Sequence, residues 1–368
     1  MNCKGECIFM KRFLLMVLSF SLLLCFVGCS GSDTEIISSA DSSENTSSNA
    51  SSDASSETTS KKPAVDPATC THEYEEKVTR KPRVLDVGEK TFTCKFCNTF
   101  YTEEIAKTDT IKILAVGNSL TSNATQYLWE IITSAGVPKE NVVIGRLFLP
   151  GCSIAWHWSN IEDFKEDYDY SKNNGGGWVS YKNYSVQQAL DDEEWDYIIV
   201  QETIASVTNP TAYSHLGDLI LYLMTAEPEA ELAWQLIWTY QAETTSQWCK
   251  FKTPAETEEH FGKIVSTYKS QVQHWSQIDH LIPAGTAVQN LRSSYIGDTI
   301  TSDGIHVNDK HGMYITALTW YAALAGGDLE AVTWLPSRYP DLADDLPVIR
   351  QSVKDAMKEP FVITQQAK

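Results

Sequence analysis

The chain is short of positive charge. Its 368 residues carry 29 Lys and Arg against 48 Asp and Glu, a formal net charge of −19. With no basic face to neutralise phosphates, nucleic acid is excluded as a partner. Long apolar runs are scarce as well. The stretch Phe13–Leu24 is too short and too near the start to be a spanning anchor. Residues 30–68 contain no aromatic side chain and are mostly Ser, Thr, Asp, Glu, Asn and Ala. Such a segment cannot bury enough apolar surface to offset its ordering entropy, so it reads as a flexible tether. No internal repeat is present, which excludes solenoids and repeat arrays. The triplet Gly175-Gly176-Gly177 is not followed by Lys and Ser or Thr. It is therefore a surface loop and not a phosphate-binding loop.

What the N-terminal region does contain is a basic pair, Lys11 and Arg12, ahead of the apolar stretch, and then Phe26-Val27-Gly28-Cys29-Ser30. This resembles a bacterial lipobox. Residues 1–29 are then a lipoprotein signal peptide, and Cys29 carries the lipid that holds the chain on the extracytoplasmic side of the membrane. The alternative is an ordinary cleaved secretory signal. Either way the chain is exported.

Residues 69–108 form a small module. Cys70-Thr71-His72 and Cys94-Lys95-Phe96-Cys97 are two knuckles around a segment of alternating character. Cys70, His72, Cys94 and Cys97 supply four N/S ligands, enough for a tetrahedral structural zinc in a ribbon-like β module. A segment this small needs a metal or a disulfide to hold it. The exported location favours Cys70 pairing with Cys94 or Cys97; the close spacing and His72 favour zinc. Contact with the cell wall is one role open to the module.

From residue 109 apolar strands alternate with amphipathic helices. The strands are Ile111–Val116, Val142–Phe148, Tyr197–Gln201, Leu232–Trp238 and His280–Ala284. Helical stripes include Tyr127, Leu128, Ile131, Ile132 and Ala135, stopped by Gly136. Others are Phe261, Ile264, Val265, Tyr268, Val272 and Trp275, and then Met313, Ala317, Trp320, Tyr321 and Leu324. This alternation predicts an α/β fold of three layers, α/β/α, around a five-stranded parallel sheet over residues 109–335. Residues 336–368 are a C-terminal extension, packed on the domain or trailing it.

Chemistry-bearing residues fall at the ends of these strands. Ser119 follows the first, in Gly117-Asn118-Ser119-Leu120. Gly151 follows the second, Gln201 ends the third, and Asp303 and His306 lie beyond the fifth. In a parallel sheet these ends converge on one edge. Serine, aspartate and histidine are the parts of a serine hydrolase. The serine is not in a Gly-x-Ser-x-Gly elbow, so an α/β-hydrolase is not implied. The residues taken singly have plainer readings: Asn118-Ser119 as a helix cap, Asp303-Gly304 as a turn, His306 as a surface residue.

The arrangement of these blocks resembles the SGNH (GDSL) hydrolase superfamily, over roughly residues 109–326, in an uncharacterised bacterial lipoprotein branch. The resemblance implies a flavodoxin-like fold and a catalytic set of Ser119, Asp303 and His306. It also implies an oxyanion hole from the Ser119 and Gly151 N–H groups and the side chain of Gln201. Two positions depart from the family pattern: Asn118 stands where Asp is usual, and Gln201 replaces the asparagine of Gly-x-Asn-Asp. The implied activity is a surface-anchored serine esterase that removes O-acetyl or similar groups from extracellular polysaccharide or peptidoglycan. It needs no cofactor for catalysis. A catalytically silent glycan-binding lipoprotein and an acyltransferase are the alternatives. His157, Glu202, a Cys152–Cys249 pair, and Trp234, Trp238, Tyr240 and Trp248 as sugar-stacking rings are further candidates without an assigned role.

Overall fold

The computed structural model describes residues 65–243 and 251–366. The expected signal peptide with Cys29, most of the expected tether, Trp248 and Cys249 lie outside the described residues. Two compact units emerge, one of residues up to Glu75 with Phe92–Tyr101, the other of Glu76–Thr91 with Thr102 onward. Strands β1 (Tyr74–Arg80), β2 (Gly88–Cys94) and β3 (Phe100–Ile105) pair in that order in a three-stranded sheet.

The small unit has few buried apolar side chains. Tyr101 stacks on Phe92 with ring centroids 4.8 Å apart and meets Tyr74 edge-on at 5.0 Å. The expected module boundary of 69–108 is cut differently. The segment around Val84 belongs to the large unit, where Leu85 N–H donates to Ala325 O at 3.0 Å and Arg83 Nη1 donates to Ala323 O at 3.1 Å. Val84 is buried there. Apolar residues inside the hairpin find the larger core, so the division does not follow chain order.

The large unit is built on a mixed sheet, not the five-stranded parallel sheet expected. Strands β4 (Ile111–Gly117), β5 (Val142–Phe148), β8 (Tyr197–Val200), β9 (Glu231–Gln235) and β10 (Ile278–Ile282) pair in parallel. Beyond β5 lie β6 (Tyr168–Asn173) and β7 (Val179–Tyr184), both antiparallel, and the full order is β10-β9-β8-β4-β5-β6-β7. The hairpin escaped sequence reading because its outer strand is exposed and its turn is the Gly175–Gly177 loop. Only Tyr168, Tyr170 and Asn173 of the pair are buried.

Ile113, Leu114, Ala115 and Val116 of β4 are fully buried, as a central strand covered on both faces requires. Each such aliphatic side chain contributes about 1.5–3 kcal/mol by leaving water. The helices are α1 (Ser119–Thr125), α2 (Leu128–Ser134), α3 (Ile154–Glu162), α4 (Val186–Leu190), α5 (Leu216–Ala226), α6 (Pro254–Gln271), α7 (Ala284–Arg292), α8 (His311–Leu324) and α9 (Leu346–Lys358). None of the described helices is long and apolar enough to cross a membrane. The C-terminal extension packs on the domain: Ile349, Val353 and Ala356 of α9 are fully buried, and Asn290 of α7 donates to Ser352 O at 3.1 Å.

Because β4 lies between β5 and β8, chain direction across the sheet reverses at β4. Crevices form at such a switch point, outside the carboxyl ends of the strands. The loops after β4, β5 and β8 carry Ser119, Gly151 and Gln201.

Candidate active site

Ser119 is the first residue of α1. Asn118 caps that helix: its Oδ1 accepts from Leu120 N–H at 3.1 Å. The plain capping role and the functional one therefore coexist in Asn118-Ser119. Gly117 is required because α1 turns back sharply. A Cβ there would sit 2.1 Å from Thr121 Oγ1.

Ser119 Oγ donates to His306 Nε2 at 2.8 Å, and His306 Nδ1–H donates to Asp303 Oδ2 at 2.6 Å. Asp303 Oδ1 also accepts the backbone N–H groups of Ile305 at 2.9 Å and His306 at 2.8 Å. Partial burial raises the Asp303 pKa. The hydrogen bonds from the His306 side chain and from the two backbone N–H groups outweigh it and hold the carboxyl below its ordinary value. The loop is braced from β9's exit: Trp238 Nε1 donates to Ile305 O at 2.7 Å, and Gln241 N–H donates to Gly304 O at 2.9 Å.

Gly151 has φ of +64°, which a side chain other than glycine resists, and a Cβ there would meet nothing within 4 Å. The constraint is backbone conformation and not space. Neither Ser119 N–H nor Gly151 N–H has a partner among the described residues. As the first residue of a helix, Ser119 keeps its amide free of intrahelical bonding.

A family model described as "Domain of unknown function (DUF4886)" matches residues 112–352. The chain belongs to the DUF4886 family. A solved DUF4886 family protein from Bacteroides uniformis is 30% identical, with 70% of this chain and 98% of that one covered at a TM-score of 0.63. An SGNH hydrolase candidate from Slackia heliotrinireducens is 18% identical, covering 57% of this chain and 97% of its own at a TM-score of 0.38. The acetyl xylan esterase AlAXEase is 14% identical, covering 58% of this chain and 99% of its own at 0.36. The last two likenesses are too slight to bear on activity. No curated protein matches this sequence.

In this DUF4886 chain Gln201 does not hold the place expected of it. It is buried, and its amide is engaged at both ends: Nε2 donates to Asn118 Oδ1 at 2.8 Å, and Oε1 accepts from Gln235. Gln235 Oε1 in turn accepts from Trp320 Nε1 at 2.6 Å. The longer glutamine stem reaches inward to Asn118, so the residue anchors the serine turn and is not a free donor in the crevice. Asn118 Nδ2 donates to Cys152 O at 3.0 Å, which ties the serine turn to the Gly151 loop. Sequence reasoning missed this strap; the amide at Asn118 was its one signal, and Gln235 left none.

This gives a first prediction. In Asn118→Asp a carboxylate oxygen faces Cys152 O where an amide now donates. Leaving that buried pair unsatisfied costs about 1–3 kcal/mol. Chemical denaturation at pH 8 is expected to register that loss, and acidification to reduce it as the new carboxyl takes up a proton. Unchanged stability at pH 8 would remove the strap from the account.

Glu202 is buried beside Gln201. Its Oε2 accepts from Ile154 N–H at 3.0 Å, and its Oε1 accepts from Thr203 N–H and Ser206 Oγ, both at 2.8 Å. Burial raises its pKa, and these hydrogen bonds only partly counter that. It braces the start of α3, just past Gly151. Cys152 is a buried free thiol pushed up to about 12 by burial. Trp234 and Trp238 are core residues, not sugar platforms, and Tyr240 is half-buried against Phe251 and His260.

His157 is neither a surface residue nor part of the crevice. It is fully buried, bonded through Nδ1 to the Tyr168 hydroxyl at 2.9 Å, with Nε2 unpartnered among the described residues. Burial lowers its pKa from 6.5 to about 4. Between those values only the unfolded chain takes up the proton. Stability is thus full above about pH 6.5 and falls on acidification, by about 1.4 kcal/mol per pH unit down to about pH 4. His260, also lowered to about 4, adds in the same direction. Urea midpoints measured from pH 7 to 4.5 are expected to fall less steeply in His157→Phe. Identical slopes in the two proteins would contradict this.

In the small unit Cys70, His72, Cys94 and Cys97 bring their ligand atoms within 4.8 Å of one another, a set able to hold a metal ion. Cys70 and Cys94 Sγ are 3.7 Å apart, and Cys97 Sγ is 3.4 Å from His72 Nδ1. All three cysteines are free thiols, so the disulfide alternative is not formed.

Proposed function

We propose that this protein is a serine esterase that removes O-acetyl or similar acyl groups from extracellular glycans. One observation carries the reading: the chain of contacts from Ser119 Oγ through His306 to Asp303, at 2.8 Å and 2.6 Å, beside two unpartnered amides. The hydroxyl is a poor nucleophile until His306 Nε2 takes its proton. Ser119 Oγ then attacks the ester carbonyl. Asp303 keeps Nδ1 protonated and stabilises the imidazolium. The oxyanion is met by the N–H groups of Ser119 and Gly151, each worth roughly 3–4 kcal/mol on mutational precedent. His306 returns the proton to the departing sugar alcohol. Water, activated by the same nitrogen, then releases the acyl group from Ser119.

The anchoring and the glycan rest on the lipobox-like Phe26–Ser30 and the tether, with the SGNH resemblance of the site residues. The small unit is read as a structural zinc site. A tetrahedral zinc with bonds of about 2.3 Å to sulfur spaces two sulfurs about 3.8 Å apart, and the observed Cys70–Cys94 separation is 3.7 Å. With four protein ligands no position remains for a reacting water, so zinc has no part in the ester chemistry.

The test is acetate release from p-nitrophenyl acetate and acetylated xylan, with fluorophosphonate labelling mapped by mass spectrometry. Labelling of Ser119 is expected. No turnover together with no label would sink the reading in favour of a silent binding protein.

A further inference from the structure

One turn along α1 from Ser119, the domain carries a cavity of about 230 Å3. Its walls are Ser122 of α1, Arg146 and Phe148 of β5, and the polar face of the β6–β7 hairpin. Register aligns Arg146 with Ser171 and Ser171 with Ser180, and Phe148 lies opposite both Gly117 and Asp169. The cavity is therefore bordered by the helix that begins at Ser119 and by the strand that leads to Gly151. Residues three apart on a helix share a face, with Cβ atoms about 5–6 Å apart, so Ser122 is a near neighbour of the nucleophile.

Arg146 is the unusual wall. Its guanidinium lies 3.8 Å over the Trp178 ring, and Nη1 donates to Ser122 O at 3.0 Å and Gln126 Oε1 at 3.4 Å. No carboxylate pairs with it among the described residues. The acid in the cavity, Asp169, is instead paired with Lys182. Arg146 is half-buried, and that partial burial lowers its pKa to about 10, the direction expected of a cation partly withdrawn from water without a counter-ion. Buried charges are ordinarily paired. In a chain with 48 acidic residues against 29 basic ones, a guanidinium left without one is out of keeping with the rest.

We propose that this cavity is a substrate subsite for an acidic sugar: a uronate carboxylate pairs with Arg146 while an ester on the same or the adjoining sugar reaches Ser119. The proposal rests on the esterase reading of Ser119 and narrows its substrate to acylated, carboxylate-bearing glycans. Guanidinium and carboxylate match in a planar, two-bond geometry, and stacking on Trp178 fixes the plane in advance. The volume suits one sugar unit, below the roughly 300–1,000 Å3 of sites for larger ligands.

The experiment compares kcat/KM on acetylated oligogalacturonides with that on acetylated xylo-oligosaccharides. The wild type is expected to favour the acidic substrate at least tenfold, through KM. Arg146→Met is expected to bring that ratio to within about twofold, the scale of one charge-assisted pair. Should Arg146→Met fail to fold, Ser180→Glu supplies the control. It places a carboxylate in the cavity from an exposed strand and is expected to abolish the preference. A wild type without preference, or a preference that survives both variants, overturns the proposal. If neither substrate turns over, calorimetric titration of galacturonate against galactose still decides. Selective binding of the acid, weakened at least tenfold by Ser180→Glu, supports the subsite, and equal responses refute it. Labelling of Ser119 reports separately on the esterase reading.

Discussion

Ser119→Ala is expected to lower kcat for ester hydrolysis by roughly 10⁴- to 10⁶-fold, the range found when a nucleophile of this kind is removed. The size follows from the number of roles that fail together. Without Oγ no acyl-enzyme forms, and His306 has no proton to accept. The pinned Asp303 carboxylate, holding Nδ1 at 2.6 Å, then stabilises a charge that never develops. The free amides of Ser119 and Gly151 persist, so activity is not expected to reach the uncatalysed rate. Residues that act as a unit are not additive. The double variant Ser119→Ala/His306→Ala is expected to be no slower than the single one, and Asp303→Asn to lose about 10⁴-fold by misdirecting the tautomer. Stopped assays with p-nitrophenyl acetate cover this range if enzyme concentration is raised for the variants. A Ser119→Ala protein retaining a tenth of wild-type kcat would rule out the mechanism.

The second large effect concerns the small unit. Its aromatic contacts among Tyr74, Phe92 and Tyr101 are half-exposed. Cores of this size rarely hold alone. Bound zinc supplies on the order of 10–16 kcal/mol in comparable four-ligand sites, and in such sites metal binding and folding are one event. One zinc per chain is expected by native mass spectrometry. Cys94→Ser removes a buried thiolate ligand and is expected to lose the metal and the protection of Cys70 and Cys97 from a thiol reagent. Strong chelation should do the same to the wild type. Esterase activity should persist, since the metal is given no role in it. Full thiol reactivity in the untreated protein, with no metal found, would refute the zinc reading.

The readability of the chain varied by element. β4, β5, β8 and β9 are largely buried, so they appear in sequence as apolar runs with turn signals at their ends, whereas the edge strand β10 is mostly half-exposed. The helix over Tyr127–Ala135 is legible in its stripe, but the α1 turn before it is not, because α1 is short, polar and capped by Asn118. Apart from its Gly175–Gly177 turn, the β6–β7 hairpin leaves little signal in the sequence. Its Tyr and Lys residues alternate, yet burial of two tyrosines on one strand is too weak a pattern against an exposed partner. Ser119, Asp303 and His306 stood out because their residue types and order in the chain are rare together. Gln201 was misread for a reason of length. The amide chemistry was legible, but only packing decides whether a stem one carbon longer points to solvent or to Asn118.

Local chemistry, then, was written along the chain: the alternation of strands and helices, the glycine before a capped serine, the paired Cys and His knuckles, and the excess of acid. These depend on neighbours a few residues away. What required the folded structure were relations across the sheet. They are the antiparallel extension of the sheet, the amide relay Asn118–Gln201–Gln235–Trp320, the burial of His157 and the unpaired Arg146. Each depends on which side chains from distant segments fill the same volume. Such packing is settled by shape and desolvation among many groups at once, and no short stretch of sequence carries it.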